Sequence, residues 1–593
     1  MRLLVLAAGL AAAALIPTLT GSAYILDVLA YGGVLALFAL SVAIVVGQIG
    51  FITFGHAAFL GLGAYTSAIL APTLGYWVTV PLALLPGVVF GIAFGALSAR
   101  LNGAYFAIAT LVIAGLLEYF AANLVGLTNG PMGLLAMPES APGTGLVGWN
   151  DAQGYLFWVL AVLVLAWAGL ANLVAGPMGR RWHATRDDPN LAESLGVPTR
   201  WVRMRAMAVS GALASLAGAL LVPKIIVVSP TVFGIDNSAI GVLAVIFGGR
   251  ATLAGPVIGG ALFAILPEMF RGIGELNTAL FALILLATVV VFPGGLMSVL
   301  DLLPRRKPKA EDAPEPVSDQ DMAQALPEKK DRPDCAPILT IEGVSRQFGG
   351  LTAVDNVDLT VAEGEILGLI GPNGAGKTTF FTMLSGFQTV SAGSIHLRGE
   401  DIIGLAPHKI AAKGLVRTFQ HSAVFPRLSV VENMLCATNM QHPSGFWATL
   451  LKTPRYRREE AERRRIVRAG LAEVGLSHRA HDAAVDLPYG EQKLLGVGMA
   501  LMVRPDLLLL DEPAAGLNMV EANRLRDVLA DLRDRGMTIL IVDHNLTMLM
   551  SFVDRIAVLH HGRKIGDGAP AEIARQADVV EAYLGGSKEG ENA

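Results

Sequence analysis

Residues 371–379 read GPNGAGKTT. Gly371, Gly374 and Gly376, set among Pro372, Asn373 and Ala375, let the backbone wrap closely around an anion. Lys377, Thr378 and Thr379 then open a helix whose first amides face the same negative charge. A lysine here supplies a cation for β- and γ-phosphate oxygens, and the Thr378 hydroxyl is a hard ligand for Mg2+. The chemistry is that of ATP with its Mg2+. A second segment, DLLLLDEP (506–513), ends a leucine run in two acids. Asp511 is placed to hold Mg2+ through water, and Glu512 to orient or deprotonate an attacking water. A third, TILIVDHN (538–545), ends at His544. A lone histidine is usually structural, but the end of a strand in a parallel α/β sheet is where ligands bind. Lys377, Glu512 and His544 are therefore the catalytic candidates.

A glycine-rich turn can also be purely structural. Its context decides: the apolar stretch EILGLI precedes the loop and an apolar helix follows, and strand, glycine loop, helix is what a phosphate cradle requires. Upstream, ILTIEGVSRQF and AVDNVDLTVAEGEILGLI alternate as strands do. The C-terminal part of the chain, residues 338–593, thus reads as an α/β nucleotide-binding domain.

The N-terminal part reads differently. The 593 residues exceed one hydrophobic core. Charged residues are 16% of the chain against about 25% in soluble domains. The deficit lies in residues 1–303, where long apolar stretches predict spans at 3–19, 26–46, 57–72, 77–97, 105–124, 155–174, 204–228 and 278–300. The first stretch, with one basic residue ahead of it, also fits a secretory signal; apolar spans follow at once, which favours an uncleaved helix. Arg180, Arg181, Arg186, Arg200, Arg203 and Arg205 place 179–205 in the cytoplasm, PRRKPK after Leu303 does the same, and residues 125–154, with neither Lys nor Arg, belong outside. Parity then requires 237–266 to enter and return on one side. Its halves, 238–247 and 253–266, are short for a crossing at ~1.5 Å per residue, which predicts a re-entrant pair joined at 248–255; one kinked span is the alternative. Glu118 is an intramembrane carboxylate, by default a functional suspect, or else a group at the bundle surface. GHAAFLGLGAYT (55–66) is punctuated by small residues, as helix–helix contacts are.

Residues 304–337 are charged and Pro-rich and cannot bury a core, so they read as a tether. Cys335 and Cys436 are too few for a disulfide framework. The net charge of −4 gives no basis for a nucleic-acid partner.

Taken in order, the motifs of 338–586 resemble the ABC transporter ATPase domain. Gln420 in VRTFQHSAVF matches that family's glutamine at the membrane-domain junction, a further Mg2+ candidate. LPYGEQK (487–493) matches its signature helix, bringing in Tyr489, Gly490 and Glu491, and Phe348 with Val354 matches its adenine platform. FGGLTAVDNV and DEPAAGLN resemble the branched-chain amino acid (Liv-type) subgroup. GHAAFLGLGAYT, YFAIATL, LTNGPMG, GRRWHATRDDPNLAESLGV and GGRATLAGPVIGGALF resemble the permease subunits of those importers. The resemblance implies an N-terminal polytopic α-helical membrane domain of about ten helices, counting the re-entrant pair, fused to a C-terminal α/β P-loop ATPase domain in the cytoplasm, all in the inner membrane.

It also implies half of an importer. The other half is a second permease and a second ATPase, identical or homologous, in a lipid bilayer with an extracytoplasmic solute-binding protein. Each nucleotide then lies between one P-loop and the other domain's signature. DPNLAESLG becomes a coupling helix docking near Gln420. Two residues depart from the pattern: Pro488 replaces the signature serine, removing a hydroxyl for the γ-phosphate, and Asn518 replaces the aspartate that speaks to the opposite site. Relatives of this subgroup carry aliphatic amino acids, amides, urea or aromatic acids. An ABC exporter half is the rival reading, disfavoured by the short loops, and a membrane-anchored regulatory ATPase is another.

Overall fold

The computed structural model describes residues 22–101, 103–135, 151–225, 227–274, 276–301, 337–420, 424–438 and 445–584. The chain separates into two compact units, Met1–Trp182 with Thr199–Glu311, and His183–Pro198 with Asp312–Ala593. The expected span at 3–19 and, of the tether expected at 304–337, residues 304–336 lie outside the described residues; Pro337 opens a strand of the second unit.

Apolar sequence makes the first unit helical. Among the described residues, eight helices are long and apolar enough to cross a membrane: Ala23–Gln48, Ala57–Leu74, Tyr76–Ser98, Ala104–Asn123, Ala152–Val174, Thr199–Ile225, Pro230–Gly248 and Ala254–Ile273, with a shorter apolar helix at Ala279–Val291. Thr199–Ile225 is the hub. A Cβ on Gly63 would meet the Ser215 carbonyl oxygen at 1.9 Å, and one on Gly218 the Leu60 oxygen at 1.9 Å. Backbones this close need small residues, since lipid tails offer helices no hydrophobic drive to associate. The GHAAFLGLGAYT stretch is therefore a packing surface.

The segment 237–266 departs from expectation. Its helices are Ile235–Gly248 and Ala254–Met269. The 3-10 turns Pro230–Phe233 and Arg271–Ile273 lengthen them to candidate spans of 19 and 20 residues. Pro267 is taken inside the second helix and Pro230 opens a 3-10 turn, while Gly234, with ψ 157°, breaks the backbone between that turn and Ile235–Gly248. Nineteen residues reach ~29 Å at full helical rise, about the hydrocarbon thickness. Two crossings would return the chain to the side it left, as a re-entrant pair would; of the span expected at 278–300, the structure has the helix Leu276–Val291 and a 3-10 turn at Leu296–Asp301. The two helices meet through backbone: a Cβ on Gly259 would lie 2.0 Å from the Ala244 oxygen. Glu118 is half-buried on Ala104–Asn123, beside exposed Tyr119 and Phe120.

The second unit is built on two sheets. The six-stranded one runs, in spatial order, Arg563–Gly568, Arg555–His560, Ile366–Ile370, Thr538–Val542, Leu507–Asp511 and Leu415–Arg417. All neighbours are parallel except the Arg563–Gly568 edge. Ile366–Ile370, Leu507–Asp511 and Thr538–Val542 are buried along their whole length, as strands covered on both faces must be, hence their near-continuous runs of Ile, Leu and Val. The four-stranded antiparallel sheet joins Leu351–Ala362, Pro337–Phe348, Ala392–Leu397 and Glu400–Asp401. The carboxyl ends of four parallel strands deliver the glycine loop, Asp511–Glu512, Asp543–His544 and the 417–420 segment to one rim.

Candidate nucleotide site

The glycine loop closes over the end of Ile366–Ile370. Gly374 has φ +81° and Gly376 φ +97°, left-handed backbone that glycine adopts without strain. A Cβ on Gly376 would also lie 2.4 Å from the Ala353 oxygen. Lys377 starts the following helix, is buried, and its Nζ donates to the carbonyls of Gly371 at 2.6 Å and Pro372 at 2.9 Å. Burial holds its ammonium below the usual lysine range, and the charges of Glu512 and Asp511 oppose that shift. The loop opens on a cavity of about 420 Å³ lined by residues 373–379, Glu512, His544, Leu351, Thr352, Ala353, His561 and Gly562.

Glu512 has φ +47°. Its amide donates to the Val542 oxygen at 2.8 Å. One carboxylate oxygen accepts from Gln420 Nε2 and the other lies 2.5 Å from His544 Nε2. Glutamine and histidine thus flank the acid at the cavity wall. Asp511 is buried behind it, its Oδ2 2.7 Å from Arg417 Nη2, with both side chains under one-tenth exposed. Arg417 also donates to Ser385 Oγ at 3.1 Å, and its guanidinium lies 4.9 Å from the Phe419 ring centre. Buried Asp543 accepts from the amides of Ala514 and Asn545, both at 2.9 Å, and so holds the turns after both acid-bearing strands.

The structure gathers Lys377, Thr378, Thr379, Asn373, Gly374, Ala375, Gly376, Glu512 and His544 around one cavity. Gly371 and Pro372 form its base through Lys377. Val354 sits elsewhere: it is fully buried in the core, while Leu351–Ala353 line the cavity. Strand alternation puts Ala353 and Val354 on opposite faces. Phe348 is exposed, stacked under the Arg346 guanidinium at 4.6 Å, and pairs across the hairpin with the cavity residue Leu351. Tyr489, Gly490 and Glu491 form the first turn of Tyr489–Met502 and do not line this cavity. Pro488 is the helix N-cap without a side-chain cap. Glu491 lies 3.5 Å from Arg479, and a Cβ on Gly490 would meet the Glu521 carboxylate. Asn518 caps Met519–Asp534, its Oδ1 accepting from Val520 and Glu521 amides at 2.9 and 3.0 Å, the task an aspartate would perform there.

Sequence reasoning missed Arg417, Lys493, Asp543 and His561. Buried Lys493 donates from its Nζ to the Gln420 carbonyl, tying the signature helix to the acid-flanking segment. The available signal was a charged residue inside an apolar run, as in GLVRTF and in EQKLLGVGMA.

His183–Pro198 packs within this second unit. The Pro189–Ser194 helix is capped by Asp188, whose Oδ1 accepts from Asn190 and Leu191 amides at 2.8 and 3.0 Å. It contacts the Pro407–Ala412 helix, and Asp187 lies 3.5 Å from Arg427 Nε. These contacts fall on either side of Gln420 in sequence.

A family model described as "Branched-chain amino acid transport system / permease component" matches residues 24–293. "ABC transporter" matches 354–515, and "Branched-chain amino acid ATP-binding cassette transporter" matches 563–589. Over 250 residues, 42% of this chain, the sequence is 44% identical to the high-affinity branched-chain amino acid transport ATP-binding protein BraF of Pseudomonas aeruginosa, covering 98% of that protein. It is 42% identical to LivG of Escherichia coli K12 over the same length and coverage. The lipopolysaccharide export system ATP-binding protein LptB of Haemophilus influenzae is 34% identical over 248 residues, 97% of its length. Among solved structures, a nucleotide-free ATP-binding cassette from an ABC transporter is 29% identical, matching 42% of this chain and 99% of that one with a TM-score of 0.37.

Proposed function

The chain belongs to the branched-chain amino acid family of ABC transporters, with permease and ATPase in one polypeptide, and from that premise we propose how its residues drive uptake of branched-chain amino acids. It is a multi-pass membrane protein whose ATPase part is cytoplasmic, and it couples ATP hydrolysis to transport. We assign the permease to 1–303, the connection to 304–337 and the ATPase to 338–593.

The observation that carries the reading is the junction of one cavity's parts: the 373–379 loop, Glu512 and His544 on one wall. ATP phosphates lie against the loop amides and Lys377. Thr378 and Asp511 offer a hydroxyl and a carboxylate, hard oxygen donors of the kind Mg2+ takes, and the ion would neutralise charge on the transferring phosphoryl group. Glu512 accepts the proton of the attacking water, while Gln420 and His544 hold its carboxylate in place. Tyr489–Glu491 lie off this cavity, so their first-turn amides serve the nucleotide of a second ATPase, and the working assembly needs that subunit, a second permease and an extracytoplasmic solute-binding protein. His183–Pro198 carries the closing motion toward the helices on either side of it, with Pro407–Ala412 and Arg427 as its seat.

The LptB match means that the ATPase half alone does not fix the direction of transport; the permease match over 24–293 favours import. The deciding experiment is uptake by proteoliposomes holding the full assembly and its binding protein. ATP-dependent accumulation of leucine, isoleucine or valine is expected, absent with E512Q. Accumulation of urea, an amide or an aromatic acid in place of these three would overturn the solute assignment, and solute extrusion would overturn the direction.

A further inference from the structure

Arg417 is a buried cation behind the pair of acids. It closes Leu415–Arg417, which pairs in parallel with Leu507–Leu509. That register sets its guanidinium on Asp511 at 2.7 Å, while Gln420, three residues on, reaches Glu512. One short segment therefore grips both adjacent acids, each by a different side chain. The Arg417 side chain is 3% exposed and that of Asp511 9%. A carboxylate so buried needs a positive partner, because leaving one charge of such a pair uncompensated is strongly unfavourable. Ser385 Oγ and the Phe419 face fix the guanidinium from its other sides.

We propose that Arg417 is a positioning residue that serves as the resident counter-charge of Asp511, keeping the wall behind Glu512 electrically neutral so that the triphosphate can enter before or without Mg2+. The inference rests on the reading of Asp511 as a Mg2+-facing acid. The local charge of the Arg417–Asp511 pair is zero. Removing the arginine makes it −1, removing the acid makes it +1, and removing both restores zero. Mg2+-free ATP, with its charge uncompensated, is the ligand most sensitive to that sum. One unit charge several ångströms away in a partly buried site is worth about tenfold in affinity.

The test is equilibrium binding of ATP in EDTA, and of the Mg2+ complex of a non-hydrolysable ATP analogue, to the purified full chain in lipid nanodiscs. Mg2+-free affinity is expected to follow D511N above wild type, wild type equal to the R417M/D511N double variant, and R417M lowest, with about tenfold per step. R417M is expected to lose much less affinity for the Mg2+ complex, and R417K to stay within threefold of wild type in EDTA. If R417M does not fold, D511N against the double variant measures the same single-charge step. Equal Mg2+-free affinity in that pair, or a loss in R417M of the same size with and without Mg2+, overturns the proposal and leaves Arg417 as a structural strut. The underlying reading fails separately: if D511N retains the full Mg2+ enhancement of wild type, Asp511 does not face the ion, whatever the charge series shows.

Discussion

Glu512, the acid proposed to activate water, is held in an awkward place. Left-handed backbone at φ +47° costs a non-glycine residue on the order of 1–3 kcal/mol. It persists because the Val542 carbonyl fixes the amide while Gln420 and His544 fix the carboxylate. Glutamine keeps the shape and cannot take a proton from water. E512Q is expected to bind ATP within about threefold of wild type and to hydrolyse it at least ~100-fold more slowly, read by equilibrium binding and phosphate release; wild-type turnover would remove Glu512 from the reaction. Lys377 carries a second prediction. Burial depresses its pKa, so the ammonium is charged below that lowered value and is lost as pH rises through it. The pH profile of kcat/KM for ATP reports the free protein and should fall on its alkaline side before the ordinary lysine value of 10.5 is reached. K377A is expected to weaken ATP binding at least ~10-fold at neutral pH, by loss of a charge-assisted phosphate contact, and to abolish that limb. A limb that survives in K377A belongs to another group.

At the scale of elements, the short segment 183–198 behaves as a docked piece of the second unit, and its histidine reports on docking. His183 is buried with a pKa of about 4, lowered by burial first and by Arg186 and Arg427, with Glu432 opposing. The imidazole exposed by undocking returns toward 6.5. Between those values the undocked form takes up a proton that the docked form refuses, so docking weakens as pH falls from 6.5 toward 4, by up to tenfold per pH unit. Hydrogen exchange at 183–198 should accelerate over that window in the wild type and not in H183Q; a flat wild-type profile would refute the link. Elements also mark how far the sequence could be read. The phosphate loop, the leucine-led acids and His544 were legible because each is contiguous and its chemistry demands particular residue types. The grip of Arg417 on Asp511 spans 94 residues and exists only because Leu415–Arg417 lies beside Leu507–Asp511, a strand order that no local pattern carries. Val354 was assigned to the cavity one position away from the face that meets it, an alternation whose phase needs the sheet. The helices at Ile235–Gly248 and Ala254–Met269 were read short because Pro267 looks like a stop in sequence and lies inside the second helix, and because 3-10 turns extend both outer ends.

Across the whole molecule, two materials meet in one chain: a lipid-facing unit with exposed Leu, Val and Ile on its outer helices, and an α/β unit whose core is a sheet. Relatives of the second kind exist as separate proteins, covered over 98% of their length by 250 residues of this chain. His183–Pro198 lies in sequence between Ala152–Val174 and Thr199–Ile225 and packs among residues of the second unit, with Asp187 on Arg427 and Pro189–Ser194 on Pro407–Ala412. A covalent link adds an effective concentration on the order of 1 mM. An interface with a micromolar or tighter Kd would hold without it at the expression levels of a membrane complex. Cutting the gene within 304–337 and co-expressing the two pieces should then give co-purifying halves with at least about half of the intact ATP-driven uptake, because mass action replaces tethering. R427A in the split pair should reduce co-purification far more than in the intact chain, where the link masks a weakened seat. If the split halves fail to associate although each folds, the fusion itself supplies the attachment, and 183–198 is a contact rather than the seat on which the motor pulls.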